Sequence, residues 1–418
     1  MRIVINDHLG HAPQVQLSRA LAARGHDVLH VYCSTLQSPK ADLTRQPGDP
    51  TTLAIEGLPL VGEQPTSSFF TQRYREAKFG RTVANRALAF RPDVVMACNN
   101  PLDVQRPIQS ACQGKSVPFV YWMQDFHALQ IDGVLARRSA PISVTVGSYY
   151  HWLERTLLQR SDAVIVPADD YLGILAEHWG VYDRQCMVVR NWSSLEAIRP
   201  GTKHNPWAGA HGLTGKKVAL YAGTLGSMEN PELLIGLAQR LANRPDALVV
   251  IVAEGPGAQR LADTTAGGAL PNLRLLPFQP YEIYGDVLAS ADVLLGSVRA
   301  EGGVLFVPSK VLSYHCAGRP TVLAAPWQNL AALHVRDSGG GTVVPPDDAD
   351  GMSAAVLSYF RDPQLQERTG LQARRYAKQT FGIERIVPRF ERLFERLRTG
   401  PARQRQQRPR PSAVTAGE

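Results

Sequence analysis

The feature that most limits how this chain can fold is a recurring alternation of short, uninterrupted apolar runs with stretches of helical periodicity. Ile3-Val4-Ile5 is followed by a helical pattern from Val15 to Ala23, by Gly25 as a left-handed stop, and by a second run from Val28 to Val31. The same unit returns at Asp93-Val94-Val95-Met96, Pro118 to Trp122, Ala163 to Pro167 and Met187-Val188-Val189. Strands that are apolar on both faces need cover on both faces, so the pattern predicts a parallel sheet between layers of helices. From Val189 to Lys217 the alternation fails, and Pro200, Gly201, Pro206, Gly209, Gly212 and Gly215 take over, as in a linker. It resumes with Lys217 to Tyr221, Ala247 to Val252, Leu273 to Leu276, Val293-Leu294-Leu295, Thr321-Val322-Leu323 and Gly341 to Val344. The chain thus reads as α/β with two doubly wound, Rossmann-like domains, residues 1–195 and 217–385, joined by a linker at 196–216. A helix at 386–398 and a basic, disordered tail at 399–418 follow. Sheets of this kind bind ligands at the carboxyl ends of their strands, which puts the expected site in a cleft between the domains.

Composition narrows the partners. The balance of 45 Lys+Arg against 37 Asp+Glu, a net +8, favours something anionic, such as phosphate or acidic lipid. Nucleic acid is not expected, because the arginine-rich tail lacks interleaved aromatics and no recognised binding module is present. Cys33, Cys98, Cys112, Cys186 and Cys316 are odd in number, widely spaced and without a Cys-x-x-Cys pair, which argues against a disulfide framework or zinc cluster and for a reducing cytoplasm. No stretch approaches the roughly 18 apolar residues of a spanning helix, and the run after Met1 is too short for a signal peptide, so the expectation is a cytoplasmic protein.

Three glycine- or cap-bearing turns follow strands in the second half. Gly223-Thr224-Leu225-Gly226 leads to Asn230-Pro231-Glu232, where asparagine suits a helix cap and proline the first helical position. Glu254-Gly255-Pro256-Gly257 follows the run ending at Val252. Pro308-Ser309-Lys310 opens a short helical pattern that stops at Gly318, with Ser309 as its expected cap. Loops of this kind let backbone amides approach a phosphate, and the Ser309 hydroxyl and Lys310 ammonium add a directed donor and a charge; each turn read alone also fits ordinary turn geometry.

Taken together with Ala291-Asp292-Val293-Leu294-Leu295 and Ala317-Gly318-Arg319-Pro320, these segments resemble the C-terminal half of family-4 glycosyltransferases. The resemblance reaches the N-terminal half through Gln14-Val15-Gln16-Leu17, Gly25-His26-Asp27-Val28, Pro92-Asp93-Val94-Val95, Trp122-Met123-Gln124-Asp125 and Asn191-Trp192, and covers about residues 1–385. It is closest to the branch that builds bacterial exopolysaccharide and O-antigen. It implies a GT-B fold, a nucleotide-diphosphate sugar donor held by the C-terminal domain, uridine being the commoner base, an acceptor held by the N-terminal domain, and transfer with retention and without a metal. On that reading the donor site draws on Gly10, Gly223, Thr224, Gly226, Glu254, Gly255, Arg299, Glu301, Ser309 and Lys310, and Asp125 and His127 accept or position the acceptor's proton. Asp348-Ala349-Asp350 spells the Asp-x-Asp string of metal-dependent transferases, yet its place before a helical run makes it a helix cap.

The chain also departs from the family pattern. Met228 and Glu229 stand where relatives carry a phosphate-binding lysine, and Leu305 and Ser313 stand where many carry paired glutamates for ribose and sugar. Lys310 is therefore expected to carry much of the diphosphate charge, with Arg299 beside it and Glu301 as a substitute ribose carboxylate. Phe69 to Arg81 mixes aromatics with cations, with Arg86 and Arg91 following, and reads either as a surface for anionic lipid at the inner membrane face or as a solvated helix. The resemblance implies a glycan or polyprenyl-diphosphate-linked precursor as the acceptor. The departures also admit a non-catalytic homologue that binds nucleotide sugar or serves as a partner subunit, and a soluble small-molecule acceptor is a further alternative.

Overall fold

The computed structural model describes residues 1–36, 41–60, 69–135, 140–265, 268, 270–303 and 306–400. The expected disordered tail, beyond its first two residues, lies outside the described residues, as does Leu305.

The first unit runs β1 (Arg2–Asp7), α1 (Ala12–Ala23), β2 (Asp27–Cys33), β3 (Leu53–Leu58), α2 (Phe69–Ala89), β4 (Val94–Cys98), α3 (Leu102–Gly114) and β5 (Phe119–Trp122). It continues with α4 (His127–Leu135), α5 (Ala140–Arg160), β6 (Ala163–Val166), α6 (Asp170–Ile174) and β7 (Cys186–Val188). The strands form one parallel sheet in the order β3-β2-β1-β4-β5-β6-β7. Side chains alternate across it: Ile3 and Ile5 pack with Leu17 and Leu21 of α1, while Val4 packs on the other face with Phe79, Val83, Ile108 and Leu153 of α2, α3 and α5. Strand β3 carries no apolar run, because it is the sheet's edge and only Leu53 is buried.

The linker is packed rather than loose. Ile198 and Trp207 are buried, and the short helix α7 (Pro206–Ala210) is capped by Asn205, whose side chain accepts from the Ala208 amide at 2.9 Å.

The second unit runs β8 (Lys217–Ala222), α8 (Pro231–Arg240), β9 (Ala247–Val252), α9 (Pro256–Thr265), β10 (Leu273–Leu276), α10 (Tyr284–Ala289), β11 (Val293–Ser297) and α11 (Lys310–Ala317). It is completed by β12 (Thr321–Ala324), α12 (Leu330–Ser338), β13 (Gly341–Val344), α13 (Ala349–Arg361) and α14 (Pro363–Thr380). Its parallel sheet has the order β10-β9-β8-β11-β12-β13. Asp348 caps α13, accepting from the Gly351 amide at 2.7 Å, and Asp350 pairs with Arg240 at 2.7 Å, so the Asp-x-Asp string is spent on helix structure.

The last helix, α15 (Ile383–Thr399), crosses back to the first unit. Its apolar residues Ile386, Val387, Phe390, Leu393 and Phe394 fall on one face, and Phe390 lies 5.3 Å from Trp122 of β5, ring centre to ring centre. Glu391 accepts from Arg24 at 2.8 Å and lies 3.0 Å from the His26 ring. In each sheet the strand order reverses once, between β1 and β4 and between β8 and β11, and ligands of such sheets sit at the carboxyl ends beside that reversal.

Candidate functional site

At the reversal in the second sheet, the chain leaves β8 through Gly223, whose φ of +137° is a backbone state that L side chains rarely adopt. An added Cβ there would also meet Lys310 Cε at 3.0 Å. The second glycine turn packs against the first: the Leu225 amide donates to the Glu254 carbonyl at 2.9 Å, and a Cβ on Gly255 would lie 2.8 Å from the Leu225 oxygen. Gly223, Thr224, Gly226, Glu254 and Gly255 therefore share one double loop. Thr224 and the Glu254 side chain are exposed.

Lys310 does not stand where the sequence reading put it. It is 8% exposed, and its ammonium donates to the Tyr221 hydroxyl at 2.8 Å, to the Thr224 carbonyl at 3.1 Å and to the Glu229 carboxylate. An ammonium has three protons, and all three are used inside the protein. Glu229, 3% exposed, spends its other oxygen on the Gly226 amide at 2.7 Å. Burial pulls the Lys310 pKa down, with Glu229 opposing, and the net shift is downward. The pair is thus a buried brace that sets the shape of the glycine loop, and the partner that absorbs the lysine is one of the two residues standing where relatives carry their own. Ser309 is also corrected: it has helical backbone angles, and its exposed side chain caps nothing.

Arg299 follows β11 and is tied to the same loop. Its amide donates to the Met228 carbonyl at 2.8 Å and its Nε to the Glu229 carbonyl at 3.1 Å, and no carboxylate pairs with its guanidinium among the described residues. Its terminal guanidinium nitrogens take no hydrogen-bond partner among the described residues, which leaves them able to donate. Glu301 is exposed on the next turn, and Ser313 meets Ser193, just before the linker, at 3.1 Å. Tyr314, which the motifs did not single out, accepts from the Ala222 amide at 3.0 Å and bonds the Leu295 carbonyl at 3.1 Å, bracing β8 against β11 at the reversal.

The first sheet supplies a second cluster at its own reversal. Buried Asp7, at the end of β1, accepts from the His11 amide, lies 3.1 Å from the His11 ring and receives the Leu9 amide at 3.3 Å, which folds the Gly10 loop around it. Burial would raise the Asp7 pKa, but His11 outweighs it and the net shift is downward; burial would lower the His11 pKa, but Asp7 raises it, so the two form an ion pair. Asn99, in the left-handed region at φ 43°, follows β4, donates to Asp125 at 2.8 Å and accepts from the Gln124 and Asp125 amides at 3.2 Å. Asp125 raises the His11 pKa and His127 lowers that of His8, so Asp125 and His127 lie within electrostatic reach of the histidines that flank Gly10. Glu154 of α5, invisible from local sequence, accepts from the His127 and Ala128 amides at 2.9 and 3.0 Å and anchors the start of α4. Burial lowers the His127 pKa against the pull of Asp125, which favours the neutral imidazole.

The two clusters belong to units in contact. Leu330, just past the carboxyl end of β12, is buried within the apolar cluster of the first unit, and Val307 and Leu333 pack against it.

Buried histidines, His8 at the site, His30 on β2 and His334 on α12, make stability depend on pH. Burial lowers His8 and His30 to about 4 and His334 to about 3, from 6.5, so below pH 6.5 the unfolded chain binds more protons and stability is lost as pH falls through that window. Glu154, raised by burial to about 7, runs the other way and favours the folded state as pH falls from 7 towards 4.5. His127 and His315 are lowered as well, while His11 and Glu76 are raised and join Glu154, so the lowered histidines outnumber the opposing groups and the urea midpoint should drop between pH 7 and pH 5; a midpoint that is flat or rises would contradict it.

Comparison with known proteins agrees with this geometry. Residues 13–192 match the model of the glycosyl transferase 4-like domain, and residues 206–376 that of glycosyl transferases group 1. WcaI of Escherichia coli, named for glycosyl transfer in colanic acid biosynthesis, is 27% identical over 176 residues, 42% of either chain. The chain spans about half the length of the curated relatives it matches. In fold it is similar to sucrose-phosphate synthase of Thermosynechococcus elongatus, at TM-score 0.71 and 16% identity over 95% of this chain and 98% of that one. HepE of Anabaena, solved with UDP-glucose, gives 0.68 and 15% over 94% and 99%. With two Rossmann-like sheets in series and the two matched domains together reaching from residue 13 to 376, the chain belongs to the family-4 glycosyltransferases of GT-B fold.

Proposed function

We propose that the protein moves a glycosyl group from a nucleoside-diphosphate sugar, a UDP-sugar by preference, to a hydroxyl of a glycan or lipid-linked acceptor in surface polysaccharide synthesis, with retention and without a metal. The observation that carries this reading is the double glycine loop with Arg299 fixed to it by Nε and by its own amide. A departing diphosphate needs fixed donors and positive charge, and the loop amides and the guanidinium fork offer both. WcaI and HepE support the polysaccharide branch and the UDP-sugar through what their names and ligands say of them.

In the proposed reaction the bond from the anomeric carbon to the diphosphate oxygen breaks, and the acceptor oxygen attaches on the same face. Asp125, oriented by Asn99, and neutral His127 receive or position the proton that the acceptor hydroxyl loses. Arg299 meets the charge that develops on the leaving group, while Lys310 and Glu229 hold the loop in shape from beneath. A cytoplasmic location, peripheral on the inner membrane face, is part of the proposal; no helix among the described residues is long and apolar enough to cross a membrane.

The test is release of UDP from a panel of UDP-sugars with lipid-linked and soluble acceptors. Activity is expected to survive excess EDTA, since amides and Arg299 replace a divalent ion. Loss in EDTA with recovery on Mg²⁺ or Mn²⁺ would refute the metal-free mechanism. The burial of Lys310 against Glu229 favours one rival, a homologue that binds nucleotide sugar without turning it over. Tight UDP binding with no transfer to any acceptor would select it.

A further inference from the structure

On the outer side of the first unit, α2 and α3 touch through Gly80, where a Cβ would lie 2.4 Å from the Val104 carbonyl oxygen. Beside that contact lies a groove of about 480 Å³ lined by Arg73, Tyr74, Arg81, Asp103, Arg106 and Ser110. Its only carboxylate among the described residues is already committed. Asp103 is 6% exposed and holds the Arg73 guanidinium at 3.2 Å, the Tyr150 hydroxyl at 2.8 Å and the Tyr149 hydroxyl at 3.3 Å. Arg73 also lies 4.1 Å from the Tyr149 ring centre, which fixes it further. Arg81 and Arg106 are exposed, and neither has a carboxylate partner among the described residues, so the groove carries two uncompensated positive charges. Two aromatic side chains stand in solvent nearby: Tyr74 on α2, 64% exposed, and Trp152 on α5, 53% exposed, with the Arg106 guanidinium 5.9 Å from its ring centre.

We propose that this groove binds the phosphate group of a membrane lipid, with Arg81 and Arg106 as its ligands. Planar guanidinium forks match phosphate oxygens, and exposed tyrosine and tryptophan beside them suit the boundary between headgroup and acyl chain. The site is separate from the donor loop and holds whether the sugar acceptor is lipid-linked or soluble. It also differs from a general basic surface along α2, because Arg75 and Lys78 do not line the groove and Arg73 is neutralised by Asp103.

The experiment is sedimentation of the full chain with phosphatidylcholine vesicles, with and without phosphatidylglycerol. The wild type should bind only the anionic vesicles. Arg81→Gln/Arg106→Gln should lose about tenfold or more in partition, from about 1 kcal/mol per cation at the surface. Arg75→Gln/Lys78→Gln, which removes the same charge outside the groove, should stay near wild type, and inorganic phosphate at fixed ionic strength should compete. Equal losses in the two double variants would mean diffuse attraction and overturn the site. A wild type that ignores anionic vesicles, yet gains thermal stability from phosphate through Arg81 and Arg106, would assign the groove to a soluble phosphate and overturn the lipid. The thermal shift given by UDP should be the same in all three proteins; its absence from all three would count against the donor reading and leave this one standing.

Discussion

Lys310→Ala should destabilise the protein by about 3–5 kcal/mol, because it strands the Glu229 carboxylate in a nearly dry site with no cation. The readout is the shift in urea midpoint, with the slope checked for a change in cooperativity. Lys310→Met with Glu229→Gln removes both charges while keeping much of the volume, and it should recover most of the lost stability. An alanine variant with the wild-type midpoint would mean that the pair does not brace the loop. The double variant also separates two roles that the ammonium could play in transfer. If Lys310 only shapes the loop, kcat should fall by less than about tenfold; a loss of about 10² or more would put the ammonium on the diphosphate in the reacting complex.

Arg299→Ala should lower kcat by about 10², with a smaller effect on the donor KM, because the guanidinium is placed to meet charge that grows as the leaving group departs. Arg299→Lys should rescue little. A lysine cannot bond the Glu229 carbonyl and still present a planar pair of donors to the ligand. Single-turnover rates with the true donor decide the matter, and an alanine variant within about threefold of wild type in kcat would remove Arg299 from the reaction.

The two sheets could be read from the chain because continuous apolar runs such as Val94–Cys98 and Ala247–Val252 leave no other environment for themselves. Strand β3 escaped that reading, since an edge strand with one buried residue has no such run. At the site, the glycine loops were legible because their backbone demands are local, whereas the fate of Lys310 was not. Its charge is decided by Glu229, 81 positions earlier, and by Tyr221, 89 positions earlier. Ser309 looked like a cap because serine before a helical pattern often is one, but its backbone is already helical. Asp125 and His127 were found by their place after a strand. Asp7 gave the same signal, a carboxylate ending the apolar run of β1, and was passed over, while Asn99 and Glu154 act through partners 26 or 27 residues away.

The return of α15 to the first sheet has a consequence for how the protein is made. Phe390, Leu393 and Phe394 belong to the same buried cluster as Ile3, Ile5 and Trp122, so strands β1 and β5 keep one apolar flank unfinished until α15 has left the ribosome. The first unit is therefore synthesised before the helix that seals it. During translation it carries an exposed apolar surface around Trp122 that invites chaperones or self-association, and a fragment ending in the linker would keep that surface for good.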